Sequence, residues 1–588
     1  MKQRERNLLE RAATAFRAGD LTAAKRFCDE ILASSGGDSE ALNISGAIAF
    51  SKRDYTEAER LFVLASAASN ENLAALFNLG KVLEVQKRFD EAANTYRKIL
   101  RVQPDNIETR LRLGIARYQQ NAFDEAIDVF QDVLRREPEN ATAALSLGVA
   151  FNTTGRYDES VTVLRRLLAR EPDQTEANHA LGDSLIALHR PDEAVRACES
   201  VLVRNPNDVL ATILMGQAEC ERCDFAAAER YFRRAALLDT QRHEANMNLG
   251  VLYQRLGRIE DALVYGKKAV DLSPREPLAH LNYGMGLLLA GELAKGWPEV
   301  EWRQHDPHMR AHFPYRDRLP LWTGERLDGK LLIAREQGLG DFILTSRFFG
   351  DVAARTGDVV VEVPPELLPL YKEQTDVRVV ADRCDPAILE TFTAHLPLCS
   401  LPFVLGIDET NVPGTVPYLS PSSELVARFR KRFAELGDDL KIGLVWAGSP
   451  GHLLDRYRSA PVAEFAKLAD IEGVRWISLQ KGAHEPMQAL PVIDLAPELT
   501  DFGVTAAAIS ALDLIISVDT AVAHLAGALG KPVWLLNGFG SYWLWQLRRP
   551  DSPWYPTMRL FRQHAPDDWK GLFRDVRAEL EATQRIQA

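Results

Sequence analysis

Eight glycines stand in one register across the first half of the chain: Gly46, Gly80, Gly114, Gly148, Gly182, Gly216, Gly250 and Gly284, each 34 residues after the last. A period of this length marks a stack of repeated units rather than a single closed core. Twelve residues after each glycine stands another small residue: Ala58, Ala92, Ala126, Ser160, Ala194, Ala228, Ala262 and Gly296. Twenty-four residues after five of them stands a proline: Pro104, Pro138, Pro172, Pro206 and Pro274. A large apolar residue often falls between, as at Phe62, Tyr96, Phe130 and Phe232. The small residue lets two antiparallel helices approach closely, and the proline stops the second helix and opens the next unit. Thirty-four residues hold two helices of roughly 13 residues with their turns. Ala12 and Ala24 fit the frame one period upstream, so a degenerate unit opens the chain.

This pattern resembles the tetratricopeptide repeat (TPR) over about residues 5–305, some eight units and a partial ninth. The resemblance implies an N-terminal all-α superhelix, assigned to residues 1–305, with a concave groove lined by the first helix of each unit. Three positions before each glycine the row reads Asn43, Phe77, Leu111, Leu145, His179, Ile213, Met247 and Leu281. Two positions before, only Asn78, Asn248 and Asn282 are asparagine. A full asparagine ladder, as in the TPR-bearing O-GlcNAc transferase, would grip an extended peptide; here it is broken in the middle. A mostly apolar row suits an amphipathic helix from a partner. The other reading is that the row packs between neighbouring helices. Phe77, Leu111, Leu145, Asn248 and Asn282 are the candidate acceptor contacts of this groove. Cys220 and Cys223 form a lone C-x-x-C; with no second pair nearby, both read as helix-packing residues rather than zinc ligands.

All ten tryptophans lie at or after Trp297, so the second half is a different architecture. The whole chain has 588 residues and a net charge of -12, from 70 basic and 82 acidic residues, which argues against a phosphate-backbone binder and so against a nucleic-acid partner. Six cysteines cannot make a disulfide framework in so long a chain. No apolar run reaches the ~18 residues of a membrane span. The opening MKQRERNLLER has no apolar segment and carries Glu5 and Glu10, unlike a secretory signal. The expectation is a cytoplasmic protein with no membrane span.

Residues 306–327, polar, basic and broken by prolines, read as a connector. Beyond it, short apolar runs alternate with helical stretches: 331–334, 359–363 and 377–381, a helix at about 421–436, then 442–448, 474–480, 514–518 and 532–538. Continuous apolar strands separated by helices predict parallel sheets covered on both faces. The spacing assigns one Rossmann-like lobe to 328–437 and another to 438–588. Ligands of such sheets bind beyond the carboxyl ends of the strands.

Three loops at predicted strand ends carry chemistry. The first contains Gly338, Gly340 and Asp341 at a helix start, where the carboxylate caps the helix or serves as a base. It is not the G-x-G-x-x-G fingerprint, since Ile343 replaces the third glycine, and no Walker A loop occurs. The second brings Ser449, Arg456 and Arg458 to a strand end; arginine forks suit phosphate oxygens, and the bland alternative is a solvated basic loop. In the third, Asp519 and Thr520 stand between a strand and a helix whose N–H groups can face a phosphate, with His524 one turn further on. Gln480 and Lys481, after another strand, lie near where a nucleotide base would sit.

The GLGD turn, the Ser/Arg loop and the segment SVDTAVAHLAGALGKP together resemble the bacterial heptosyltransferase-like glycosyltransferases of the GT-B fold, over about residues 328–560. That family usually has a glycine directly after Asp-Thr, where this chain has Ala521. The resemblance implies a metal-independent, inverting transfer from a nucleotide sugar, which is a substrate rather than a cofactor. It implies Asp341 as general base, and Ser449, Arg456, Arg458, Gln480, Asp519, Thr520 and His524 as donor contacts, with Gly338 and Gly340 on the acceptor side. A TPR array joined to such a half resembles protein O-glycosyltransferases, among them bacterial enzymes that glycosylate flagellin with nonulosonic sugars from a CMP donor. The alternatives are a TPR scaffold with a degenerate catalytic half and an enzyme of envelope polysaccharide synthesis.

Overall fold

In a computed structural model of the chain, the described residues are 3–35, 37–69, 72–336, 338–372, 377–449, 455–482 and 485–587. They form two compact units, 1–231 and 232–588.

The first unit is a run of antiparallel helix pairs that begins with Gln3–Arg17 and Leu21–Ser35. The 34-residue glycine has a steric cause. A Cβ on Gly80 would lie 2.4 Å from the Tyr96 ring, on Gly114 2.5 Å from Phe130, and on Gly46 2.7 Å from Phe62. Each glycine is thus the floor on which the large residue 16 positions later rests. At Gly148 that residue is Leu164, and at Gly182 it is Cys198. Asp38, Asn72, Asn106, Asn140 and Asp208, on the same period, cap the first helix of their units by accepting a backbone N–H. The turn inside each unit needs a left-handed residue, filled at Arg53, Lys87, Asn121, Gly155, His189 and Cys223. Cys223 therefore corrects the sequence reading. It is the exposed turn residue, while Cys220 alone is buried in its helix.

The second unit contains the helices His243–Arg255, Ile259–Leu272, Pro277–Ala290 and Leu293–Val300, then two parallel sheets. Gly284 keeps the register for the same reason as before: a Cβ there would lie 2.9 Å from Val300. The connector is not a loose tether. Phe313, Tyr315 and Trp322 are buried, and Trp322 donates its backbone N–H to His395 at 2.9 Å.

The first sheet holds β1 (Leu327–Ala334), β2 (Thr356–Val363), β3 (Arg378–Ala381) and β4 (Ala394–Pro397), in the order β3-β2-β1-β4. The second holds β5 (Leu440–Val445), β6 (Val474–Ser478), β7 (Val492–Asp494), β8 (Leu514–Val518), β9 (Val533–Asn537) and β10 (Met558–Arg562), in the order β10-β9-β8-β5-β6-β7. Every adjacent pair is parallel. The architecture is an N-terminal TPR superhelix followed by an α/β region consistent with two Rossmann-like lobes. Seven strands fall where the apolar runs predict them. β4, β7 and β10 do not: they are short, contain His395, Pro397, Asp494 or Arg559, and are strands because a neighbour pairs with them.

Candidate active site

Strand order makes a crevice in each sheet. In the first, the chain leaves β1 for β2 on one side and later returns to β4 on the other. In the second, β5 leads to β6 and β7, and β8 to β9 and β10 across it. The loops after β1 and β4, and those after β5 and β8, therefore stand where sheets of this order receive a ligand.

Asp341 stands in the first turn of helix Leu339–Thr345, which follows β1. Gly338 precedes it with φ +92, and a Cβ there would lie 2.3 Å from Asp341 Oδ2. A Cβ on Gly340 would lie 2.8 Å from the His524 ring. The first glycine makes room for the carboxylate; the second lets this helix press against the helix Ala521–Ala528 of the other lobe. Asp341 Oδ1 accepts a hydrogen bond from Tyr542 Oη at 3.1 Å. Burial pushes its pKa up to about 7; Tyr542 opposes that rise, and the negative charges of Asp519 and Glu336 add to it. A carboxyl group tuned so is poised to exchange a proton near neutral pH.

Asp519 follows β8, and burial raises its pKa as well, against the Trp545 indole and the Arg458 guanidinium. Among the described residues the Trp545 N–H has no acceptor within hydrogen-bonding geometry, so its influence is that of a nearby dipole. Thr520 occupies the N-cap position of Ala521–Ala528 without capping it; its Oγ1 lies 3.1 Å from Ser517 Oγ. Among the described residues the Thr520 side chain makes no cap, while its carbonyl accepts the N–H groups of Ala523 and His524; a helix start without a side-chain cap favours an anion. His524 is 4% exposed, with Nδ1 3.1 Å from Tyr555 Oη and its ring 5.3 Å from Trp545. Burial lowers its pKa to about 3, helped by Arg347, so the imidazole is neutral. Its 3.8 Å approach to Asp519 Oδ1 is therefore not an ion pair. His524 forms the wall behind Asp519.

After β5 the backbone is closely covered. A Cβ on Gly448 would lie 2.3 Å from Asp455 Oδ1 and 2.5 Å from Arg458 Nε. Arg458 Nε donates to Asp455 at 3.2 Å. Ser449 is exposed, next to residues 450–454, which lie outside the described residues, as does the side chain of Arg456. Gln480 accepts the N–H groups of Trp446 and Ala447 at 3.0 and 2.9 Å and donates to Ala447 O at 3.1 Å. Its amide is thus spent on shaping the β5 loop. Lys481 Nζ donates to Leu499 O at 2.6 Å.

In the first unit, the row expected to line a groove packs against neighbouring helices. Phe77 lies 5.9 Å from the Tyr96 ring, and Leu111 and Leu145 are half-buried against neighbouring clusters. In the second unit, Asn248 donates to Glu244 O at 2.9 Å, and Asn282 O accepts from Gln254 at 2.8 Å.

Sequence reasoning missed four residues here. Tyr542 lies in an aromatic-rich stretch with no motif. Arg562 ends β10, a strand too short and mixed to predict. It donates to Ser541 Oγ at 3.1 Å and to the carbonyls of Trp545 and Arg549, and burial lowers its pKa to about 10. Arg347 lies against the rings of Tyr418 and Tyr555, beside His524. Glu336 accepts the N–H of Cys399 at 2.7 Å and so ties the loop after β1 to the end of β4.

Comparison with known proteins matches residues 49–112, 111–177, 152–218 and 214–277 to tetratricopeptide repeat families. Residues 474–543 match glycosyltransferase family 9 (heptosyltransferase). That stretch contains Gln480, Asp519, Thr520, His524 and Tyr542; Asp341 and the β5 loop lie outside it. The chain is similar to Protein FlbA of Caulobacter vibrioides, 26% identical over 59% of this chain and 63% of that protein, so the match spans less than two thirds of the relative's length. Solved structures with a likeness to it include a tetratricopeptide repeat protein from Parabacteroides merdae (19% identical, 40% of this chain, 94% of that one, TM-score 0.34). Another is a thermophilic TPR protein of Thermus thermophilus (22% identical, 31% and 99%, TM-score 0.29). One chain thus joins segments similar to tetratricopeptide repeats to a segment similar to glycosyltransferase family 9.

Proposed function

We propose that the chain is a metal-independent, inverting protein O-glycosyltransferase that takes a sugar from a nucleotide donor and places it on a Ser or Thr hydroxyl of a protein held by the repeats. The observation that carries this reading is the pair of carboxylates, Asp341 and Asp519, at the switch points of two parallel sheets and close enough for one charge to raise the other's pKa. Asp341, with a pKa of about 7, takes the proton of the acceptor hydroxyl as its oxygen attacks the anomeric carbon. The bond from that carbon to the donor phosphate breaks, and the departing phosphate meets the N–H groups at the start of Ala521–Ala528 and the guanidinium of Arg458. Arg562 is a further fixed cation at the end of β10.

The acceptor side is assigned to the repeats, a class of unit whose surfaces commonly receive a protein partner. Flagellin, with a nonulosonic acid from a CMP donor, is the first acceptor and donor pair to try, and the cytoplasm the expected place of action. Among the described residues no helix is long and apolar enough to cross a membrane.

Calorimetric titration with CMP, UDP, ADP and GDP, on the wild type and on Asp519→Ala, tests the donor side. One nucleotide is expected to bind the wild type and to lose affinity in the variant. Mass spectrometry of the acceptor after incubation with the matching donor then reads the product. No binding by any nucleotide would overturn the transferase reading.

A further inference from the structure

The helix that ends the repeats, Leu293–Val300, continues into a 3-10 turn, Glu301–His305. Two residues of this segment contact residues of the loops around Asp341. Trp297 is 5% exposed, and its ring meets Trp543 edge to face at 5.2 Å. Its Nε1 donates to Ile407 O at 2.9 Å, which fixes the ring. Trp543 is the neighbour of Tyr542, whose hydroxyl donates to Asp341 Oδ1. On the other side, Arg303 is 5% exposed and grips Glu336 with two hydrogen bonds of 3.1 Å. Glu336 stands at the start of the loop that carries Asp341.

Neither arm is needed to close a sheet. Tyr542 and Glu336 both lie in loops, where backbone placement is loose unless side chains fix it. Here the fixing groups come from the last helix of the array and the 3-10 turn that follows it. A rigid aromatic contact and a two-pronged guanidinium clamp transmit position well, because neither has much freedom to slip.

We propose that Tyr542 is a positioning residue for the Asp341 carboxylate, and that the last helix of the repeat array, through Trp297 against Trp543, sets where Tyr542 stands. This rests on the reading of Asp341 as the general base. The consequence is that the array does more than hold an acceptor: its final helix is part of what aims the base.

The groups facing Asp341 are Tyr542 from the loop after β9, Asp519 after β8, Glu336 after β1 and Cys399 after β4. Tyr542 donates to the charged carboxylate, so its contribution grows as Asp341 ionises. Replacing Tyr542 by Phe removes a hydrogen bond that is worth more to the charged form than to the neutral one.

The test is scanning calorimetry of the full chain at pH 5.5 and pH 9, following the transition that Asp341→Asn itself moves. Tyr542→Phe is expected to lower that transition more at pH 9 than at pH 5.5. In the Asp341→Asn background the same substitution is expected to act equally at both values. Equal loss at both values with Asp341 present would overturn the positioning role. Trp297→Leu, with Trp543→Phe as the milder second variant, is expected to copy the pH dependence of Tyr542→Phe. A loss independent of pH in both would overturn the part assigned to the array.

With the donor found by nucleotide titration, Tyr542→Phe is further expected to move the acid limb of kcat upward by about one pH unit, with KM little changed. An unmoved limb would also overturn the proposal. Wild-type transfer by Asp341→Ala would sink the general-base reading instead, and leave the calorimetric result to decide the link between the two side chains.

Discussion

The helical repeats and the two sheets use glycine for the same physical reason and to different ends. In the repeats, Gly80 lies under Tyr96, and the pair is built from one stretch of 17 consecutive residues. In the sheets, Gly340 lies under His524, 184 positions away in the chain. The first contact is local and repeats down the array, so each copy supports only its neighbours. The second occurs once, joins two lobes and sits beside a carboxylate. A close approach that recurs is scaffold; one that is unique and brings ionisable groups together is where chemistry is to be sought.

That contrast can be pressed experimentally. The largest effect is expected at Asp341. Asp341→Ala should lower transfer by about 10²–10⁴-fold, the usual range for a general base, while circular dichroism of the helices stays unchanged. Undiminished transfer would remove the catalytic half of the contrast.

The glycines offer the most direct comparison. Gly80→Val should destabilise its unit by about 1–3 kcal/mol, since a Cβ there has no space beside Tyr96, and urea unfolding would read it. Gly340→Ala should displace His524 and lower nucleotide affinity, with the unfolding of the repeats unmoved. If Gly340→Ala changed only stability, the unique contact would be as structural as the repeated one.

Two buried groups make opposite pH signatures in the second unit. Asp341 has a folded pKa of about 7, above its unfolded value, so folding takes up a proton and stability falls as pH rises from ~4 toward about 7. His524 has a folded pKa of about 3, below its unfolded value, so stability falls as pH drops below ~6.5. Between those limits the two oppose each other. Asp341→Asn should therefore leave a chain whose stability falls more steeply on acidification, and His524→Gln one that falls less; thermal melts across pH 4–8 would separate them.

The smallest effect is expected at a cap. Asn106→Ala removes the acceptor of the Thr109 N–H and should cost about 1 kcal/mol in its own unit, seen as a small shift of the urea midpoint. A change in nucleotide affinity from this substitution would show that the contrast between scaffold and site is drawn too sharply.

Much of this was legible without coordinates. The 34-residue register specified the helix pairs because every partner it needs lies within one or two periods along the chain. Seven strands were legible because buried parallel strands are continuous apolar runs. The loops carrying Asp341, Asp519 and Arg458 were found by looking beyond strand ends. β4 and β10 were not legible, since four or five residues of mixed polarity become a strand only when a neighbour supplies the other half of the ladder. With β10 went Arg562. Gln480 reads from the sequence as a contact near a nucleotide base, whereas in the structure its amide is turned to the β5 loop, a choice made by backbone groups 33 and 34 residues away.

The sequence by itself determined the repeat, the change of architecture near Trp297 and the place of Asp341 and Asp519 just beyond two strands, because these depend on spacing and residue type along the chain. Only the tertiary structure decided at which strand ends the sheet order reverses, that Tyr542 reaches Asp341 across 201 positions, and that burial raises the Asp341 pKa. Strand order and desolvation are sums over residues distant in sequence, and no local pattern encodes them.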